Sequence, residues 1–173
     1  VQVDKVFVAK SVPRAVEKVE APPLRVLGFS TICYSREGSP KPDRNPVVMI
    51  SAATNSGEKK QFLADEGKND KPVLEAFTKY VRTVDPDVVV GYGGKGQDWQ
   101  YLKERCKKLG IRLRVDRAGT EPHTSVYGHV SLNGRVNLDL ADYAEEFPEV
   151  KVKTLANLAD YLGVMKIEDR KIV

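Results

Sequence analysis

What the chain has little of sets its class before any motif is read. Among 173 residues there are two cysteines, Cys33 and Cys106, and two histidines, His123 and His129. Two thiols cannot build a disulfide framework or a four-thiolate zinc site, so a disulfide-rich scaffold is excluded and a reducing, cytoplasmic compartment is expected. No apolar run approaches the roughly 20 residues that span a bilayer. The N-terminal VQVDKVFVAK has no basic leader ahead of an apolar stretch, so neither a membrane span nor a secretory signal is expected. No charge sign dominates: 28 Lys and Arg against 24 Asp and Glu leave a net +4. That mildly basic balance permits an acidic partner such as nucleic acid without requiring one. What is present is ordinary, with 41% hydrophobic and 30% charged residues, in a chain long enough to bury one domain's core. The absence of an initiating Met and the stop at Ile172-Val173 lead us to expect a fragment of something longer.

Patterning predicts the order of elements. Residues 1–20, with Val3, Val6 and Val8, read as an edge strand or the tail of a preceding domain, and Ala21-Pro22-Pro23 opens the main domain, 21–173. LRVLGFSTICY (24–34) is β-branched and aromatic with almost no charge, which predicts a buried strand. Gly38, Pro40, Pro42 and Pro46 mark a long loop. VVMISAAT (47–54) and KKQFLA (59–64) then complete an antiparallel meander around the Asn55-Ser56-Gly57 turn. Asn69 or Asp70 can cap a helix carrying Pro72 in its first turn, with Val73, Leu74, Phe77, Tyr80, Val81 and Val84 at helical spacing and Asp85-Pro86 as its end. VVV (88–90) is a short strand and GYGGKG (91–96) a glycine loop. From Asp98 a second helix presents Trp99, Leu102, Cys106 and Leu109, closed by Gly110. IRLRV (111–115) predicts another strand. Asn133-Gly134 predicts a type I′ hairpin between YGHVSL and RVNLDL. Thr154 caps a last helix that ends at Gly163. A meander, then α-β-α, then a hairpin and helices, describes an α/β domain: a three-layer mixed β-sheet flanked by helices.

The loop Gly91-x-Gly93-x-x-Gly96 follows a strand and precedes a helix, and Asp116 lies twenty residues further on. This matches the fingerprint of a dinucleotide-binding oxidoreductase domain, where a helix N-terminus seats a pyrophosphate and the acid holds a ribose hydroxyl. Trp99 and Gln100 stand where close helix–sheet packing wants small residues, and the meander upstream is not part of such a unit. Lys95 followed by Gly96 excludes a phosphate-loop NTPase.

Four blocks carry a resemblance: LRVLGFSTICYS, PVVMIS, DPDVVVGYGGKGQDWQYLKERCKKLGI and GRVNLDLADYAEEFPEVKVKTLANLADYLGV. From about Pro22 to about Lys166 the chain resembles the 3′–5′ exonuclease domain of archaeal family-B DNA polymerases. The resemblance implies a ribonuclease-H-like (DnaQ-like) fold, DNA as partner, and a polymerase module of the same chain that synthesises DNA in replication or repair. It also implies two divalent metals that clamp the attacking water and the leaving oxygen of a phosphodiester, held by an Asp-x-Glu pair on the first strand, an Asp at a helix start, and a late Tyr-x-x-x-Asp motif. The chain departs from that pattern. Ser30 and Ile32 stand at the Asp and Glu positions, and Gly93 and Gln97 at the second motif's Asn and aromatic positions. Asp98 alone survives, and Tyr161 is followed four residues later by Met165. The expectation is a catalytically silent exonuclease domain, retained as a scaffold and DNA-binding surface. No cofactor is expected in this fragment, since Mg²⁺ belongs to an intact exonuclease or polymerase site; Asp98 is a weak metal candidate.

Other residues could rebuild a ligand set for an active metal-dependent exonuclease: Asp139 and Asp142, or His123 and His129, although Asp139 also reads as the cap of the helix at Leu140. Lys103, Arg105, Lys107, Lys108, Arg112, Arg114 and Arg117 form a locally basic stretch opposed by Glu104 and Asp116. Lys95, Lys103, Lys107, Arg112 and Arg114 are candidate phosphate contacts. Tyr92, Trp99 and Tyr101 are candidates for base stacking, with Trp99 read rather as a core residue, and the Asn133-Gly134 tip is expected to face the DNA by resemblance.

Overall fold

The computed structural model describes residues 6–15, 20–65, 69–93 and 97–169. Its centre is a five-stranded mixed sheet whose strands run, edge to edge, Lys59–Leu63, Val47–Thr54, Val26–Cys33, Val88–Gly91 and Val136–Asp139. Strands β1 (Val26–Cys33), β2 (Val47–Thr54) and β3 (Lys59–Leu63) form the expected antiparallel meander, while β4 (Val88–Gly91) and β7 (Val136–Asp139) join parallel to β1. Strand alternation sorts the side chains. Leu27 and Phe29 of β1, Ile50 and Ala52 of β2, Phe62 of β3 and Val89 of β4 are buried on one face. That face is covered by α1 (Lys71–Val84) and α2 (Gln97–Lys108). Helix α1 presents Val73, Leu74, Phe77 and Val81, and α2 presents Trp99, Leu102 and Cys106. Phe29 sits between the two helices, its ring centroid 4.5 Å from that of Trp99 and 5.2 Å from that of Phe77. Near the other face lie α3 (Leu140–Ala144) and α4 (Leu155–Tyr161), with Ala144, Val150 and Leu158 in a small second core.

One buried ion pair ties the helix layer to the sheet. Asp70, immediately before α1, accepts from Arg105 Nε at 2.8 Å and Arg105 Nη2 at 2.9 Å, and from the Val47 amide at 2.8 Å. Its carboxylate therefore does not cap α1; of the two candidates the sequence offers, Asn69 and Asp70, it is Asn69 whose side chain accepts from a first-turn amide, that of Lys71. Asp85 ends α1 in a left-handed conformation at φ 47° and binds Arg25, Arg117 and Arg135.

Three expectations are corrected. The predicted edge strand does not form in its described part: Val6 and Val8 are exposed coil, and Val3 lies outside the described residues. Residues 111–115 are no strand, because their amides are satisfied locally. Leu113 donates to the Glu121 carboxylate, Arg114 to the carbonyl of Arg112, and Val115 to that of Leu113. The Asn133-Gly134 turn is not type I′, since Gly134 has φ 76° while Asp85 is the non-glycine with positive φ among the described residues. Its arms pair antiparallel through one bridge, Leu132 with Arg135, and then go to different sheets. One, β6 (Val130–Ser131), pairs with β5 (His123–Thr124), and the other enters the main sheet as β7. Thr154 caps α4 as predicted, accepting from the Asn157 amide.

Candidate functional site

The carboxyl ends of parallel strands are where open α/β sheets build their sites, and here β1, β4 and β7 converge with the N-terminus of α2. Ser30 and Ile32 stand on the sheet face opposite α1 and α2, both exposed, with Thr31 between them turned toward the helix layer. Asp98, in the first turn of α2, accepts a hydrogen bond from the Thr31 hydroxyl. Burial raises the Asp98 pKa above the ordinary carboxylate value; the Thr31 hydrogen bond opposes that rise and the charge of Asp139 adds to it. Asp139 ends β7 and caps α3, accepting from the Ala141 amide at 3.0 Å and from the Gly93 amide at 2.8 Å. Gly93 reaches it in the left-handed conformation, φ 79°, which glycine adopts without steric cost. The Tyr92 hydroxyl donates to the Lys153 carbonyl at 2.8 Å.

Ser30, Tyr92 and Asp98 border a groove of about 750 Å³ on the open sheet face, floored also by Gly28, Ser51 and Ala53 and walled by Leu140 and Leu155. The groove has the place of a substrate cleft, but its donor set does not fit a pair of hard divalent cations, which require clustered oxygen ligands. Ser30 offers a neutral hydroxyl and Ile32 none. Asp98 is engaged by Thr31, and Asp139 by two backbone amides. Among the described residues no group of three or more His, Cys, Asp and Glu side chains is placed to hold a metal ion.

The structure thus brings Ser30, Ile32, Tyr92, Gly93 and Asp98 to one end of the sheet, with Gln97 opening α2; Lys95 lies outside the described residues. The basic candidates part company. Lys103 donates to the Pro122 carbonyl, Arg105 is buried on Asp70, and Arg117 binds Asp85 and Asp87. Lys107, Arg112 and Arg114 are exposed, at or beyond the far end of α2. At 1.5 Å per residue, Lys107 stands roughly 13 Å along the axis from Asp98. Trp99 is buried and donates to Asn137, and the Tyr101 hydroxyl donates to the Asn45 carbonyl. Neither ring is presented to a base. The Asn133-Gly134 tip is docked on its own chain at the opposite end of the sheet: Arg117 N donates to the Asn133 carbonyl, and the Asn133 amide donates to Thr120. Asp116, the would-be ribose ligand, ends no strand; it accepts from the Thr120 amide and hydroxyl in a turn. That removes the second half of the dinucleotide fingerprint. Of the alternative ligands, Asp142 and His129 line a separate cavity beside Asp139, and His123 is exposed in β5. Thr31 was missed in the sequence, although strand alternation already turns it inward between two outward positions.

The chain matches the family described as DNA polymerase family B, exonuclease domain, over residues 3–158. It is 48% identical over 147 residues to DNA polymerase 2 of Aeropyrum pernix, covering 85% of this chain and 18% of that protein. It is 35% identical over 155 residues to a DNA polymerase of Archaeoglobus fulgidus, covering 88% of this chain and 19% of that one. The structure of the family B DNA polymerase from the hyperthermophilic archaeon Pyrobaculum calidifontis superposes with a TM-score of 0.85 at 50% identity, covering 91% of this chain and 20% of that one. The chain therefore spans about a fifth of the length of the relatives it matches.

Proposed function

The chain belongs to the exonuclease domains of family-B DNA polymerases, and on that premise we propose that it is a member in which 3′–5′ phosphodiester cleavage is silent and the groove is kept as a DNA-facing scaffold beside a polymerase module. The observation that carries this reading is the outward pair on β1. Ser30, in the lining of the groove, and Ile32, the next same-face position along the strand, stand where a two-metal nuclease needs carboxylates. Without those oxygens neither activation of a water nor neutralisation of charge on the leaving oxygen is supplied, and these are the dominant contributions to such a reaction. What the groove's own residues still provide is shape and orientation. Gly93, clamped through its amide to Asp139, and Tyr92, anchored on Lys153, fix the two residues that follow β4, Tyr92 in the groove wall. Thr31 holds Asp98 toward the sheet.

A second reading has one observation in its favour. Asp98 and Asp139 are near enough for their charges to interact, and such a pair could share one cation in a rebuilt nuclease site. Hydrolysis of a 5′-labelled single-stranded DNA with a free 3′ end, in Mg²⁺ or Mn²⁺, separates the two. The silent reading predicts no shortening above a protein-free control. Shortening that disappears in Asp98→Ala establishes the rebuilt site.

A further inference from the structure

We propose that the helix layer carries a second, phosphate-binding surface: a basic furrow between α1 and the segment after α2, centred on Lys79, Arg82 and Arg112, that seats the backbone of duplex DNA. The furrow encloses about 520 Å³, and Glu75 and Ile111 complete the part of its lining that matters here. Its geometry follows from the packing. Val73, Leu74, Phe77, Tyr80 and Val81 turn one side of α1 into the core, which leaves Lys79 and Arg82, three residues apart and neighbours on the helix surface, on the outer side. Gly110, at φ 69°, and the bond from the Ile111 amide to the Cys106 carbonyl reverse the chain after α2 and bring Arg112 against α1.

The cations of this surface are available to an outside anion. Arg25, Arg105, Arg117 and Arg135 each bind a carboxylate. Lys79, Arg82 and Arg112 have no ion-pair partner among the described residues, and the furrow's one acid, Glu75, lies 3.9 Å from Lys71. Lys107, Lys108 and Arg114, equally unpaired among the described residues, continue the same sign beyond it.

The lining also indicates what such charges would hold. It contains no aromatic ring on which an unpaired base could stack. The hydroxyls of Thr78 and Thr83 donate to the carbonyls of Leu74 and Lys79 in their own helix. Recognition there is by charge, which suits sequence-independent phosphate binding. An acidic peptide would want a buried apolar anchor, and Ile111 is the one aliphatic side chain in the lining. The surface lies on the outer side of the helices, away from the groove, so it does not depend on whether the groove cuts DNA.

The test is fluorescence anisotropy of a labelled 20-base-pair duplex with the whole 173-residue chain in about 50 to 200 mM KCl. The variant is Lys79→Gln/Arg82→Gln/Arg112→Gln. The control is Lys10→Gln/Arg36→Gln/Lys151→Gln, which removes the same charge from exposed positions elsewhere, and circular dichroism confirms that both retain helix. The furrow variant is expected to bind at least about tenfold more weakly at the lowest salt. Its slope of log K against log salt should be shallower by about 2 to 3, near 0.9 for each phosphate that is no longer neutralised. The control stays near wild type. Equal weakening in the control, or an unchanged slope, overturns the proposal. So does weakened binding to a poly-glutamate peptide with duplex binding intact, which would assign the furrow to a protein partner. Nuclease activity is not read out, so a silent groove and the furrow stand or fall separately.

Discussion

Replacing Arg105 by Met breaks the buried ion pair that α2, the helix carrying Asp98, makes with Asp70. Asp70 is fully buried and takes two hydrogen bonds from Arg105, at 2.8 and 2.9 Å, and one from the Val47 amide. Burial alone would raise the Asp70 pKa, but the Arg105 and Val47 hydrogen bonds outweigh it and hold it below the ordinary carboxylate value. Arg105→Met leaves a buried carboxylate with one amide. Stranding a buried charge in this way costs about 3–5 kcal/mol, a large part of the roughly 5–15 kcal/mol that holds a domain folded. For a chain of this size that lowers Tm by about 10 °C, read by thermal unfolding at pH 7. In the variant burial is no longer opposed by the guanidinium, so the folded pKa of Asp70 rises above its unfolded value. A group shifted in that direction loses stability as pH rises, so the deficit should be largest at pH 7 and shrink toward pH 4. Asp70→Asn/Arg105→Met should restore part of the loss. A cost under about 1 kcal/mol, well below the range for a stranded buried charge, or a deficit that does not shrink in acid, would mean that Asp70 does not depend on Arg105 for its charge.

Two further outcomes follow from the ionisable groups. Hydrogen bonds from Arg117, joined by Arg135 and opposed by partial burial, lower the Asp85 pKa to about 2. A depressed carboxylate stabilises the fold above its unfolded pKa and loses that contribution as pH falls through its folded value. Denaturant titrations should therefore show stability falling between about pH 4 and pH 2, by about 1 kcal/mol from this group once solvent screening of its half-exposed side chain is allowed for; Asp85→Asn should flatten that part of the profile. Burial pushes the Cys106 thiol up to about 12, so it should resist a thiol-specific reagent in the native protein and react on unfolding, after the half-buried Cys33.

The sequence made the meander and both long helices readable, because β-branched alternation and the 3.6-residue stripe are signals carried within one segment. It also made Ser30 and Ile32 readable as same-face neighbours, and Asp98 as the first turn of a helix. What it concealed depends on partners far along the chain. The aliphatic alternation of Ile111, Leu113 and Val115 gives no sign that their amides are taken by Glu121 and by carbonyls nearby in the chain. Asn133-Gly134 signals a turn without saying that its arms join different sheets. The seven basic residues near α2 look alike in sequence. Only the fold shows Arg105 and Arg117 consumed by carboxylates, while Arg112 joins Lys79 and Arg82 of α1 in the furrow.

Whether the end of β1 offers enough oxygen ligands for paired metal ions is read directly by calorimetric titration with Mn²⁺. The wild-type chain should show no tight paired binding, and Ser30→Asp/Ile32→Glu should bind Mn²⁺ at least about tenfold more tightly, by supplying hard ligands on one sheet face. Two tightly bound Mn²⁺ ions in the wild-type chain, lost in Asp98→Asn, would contradict the account.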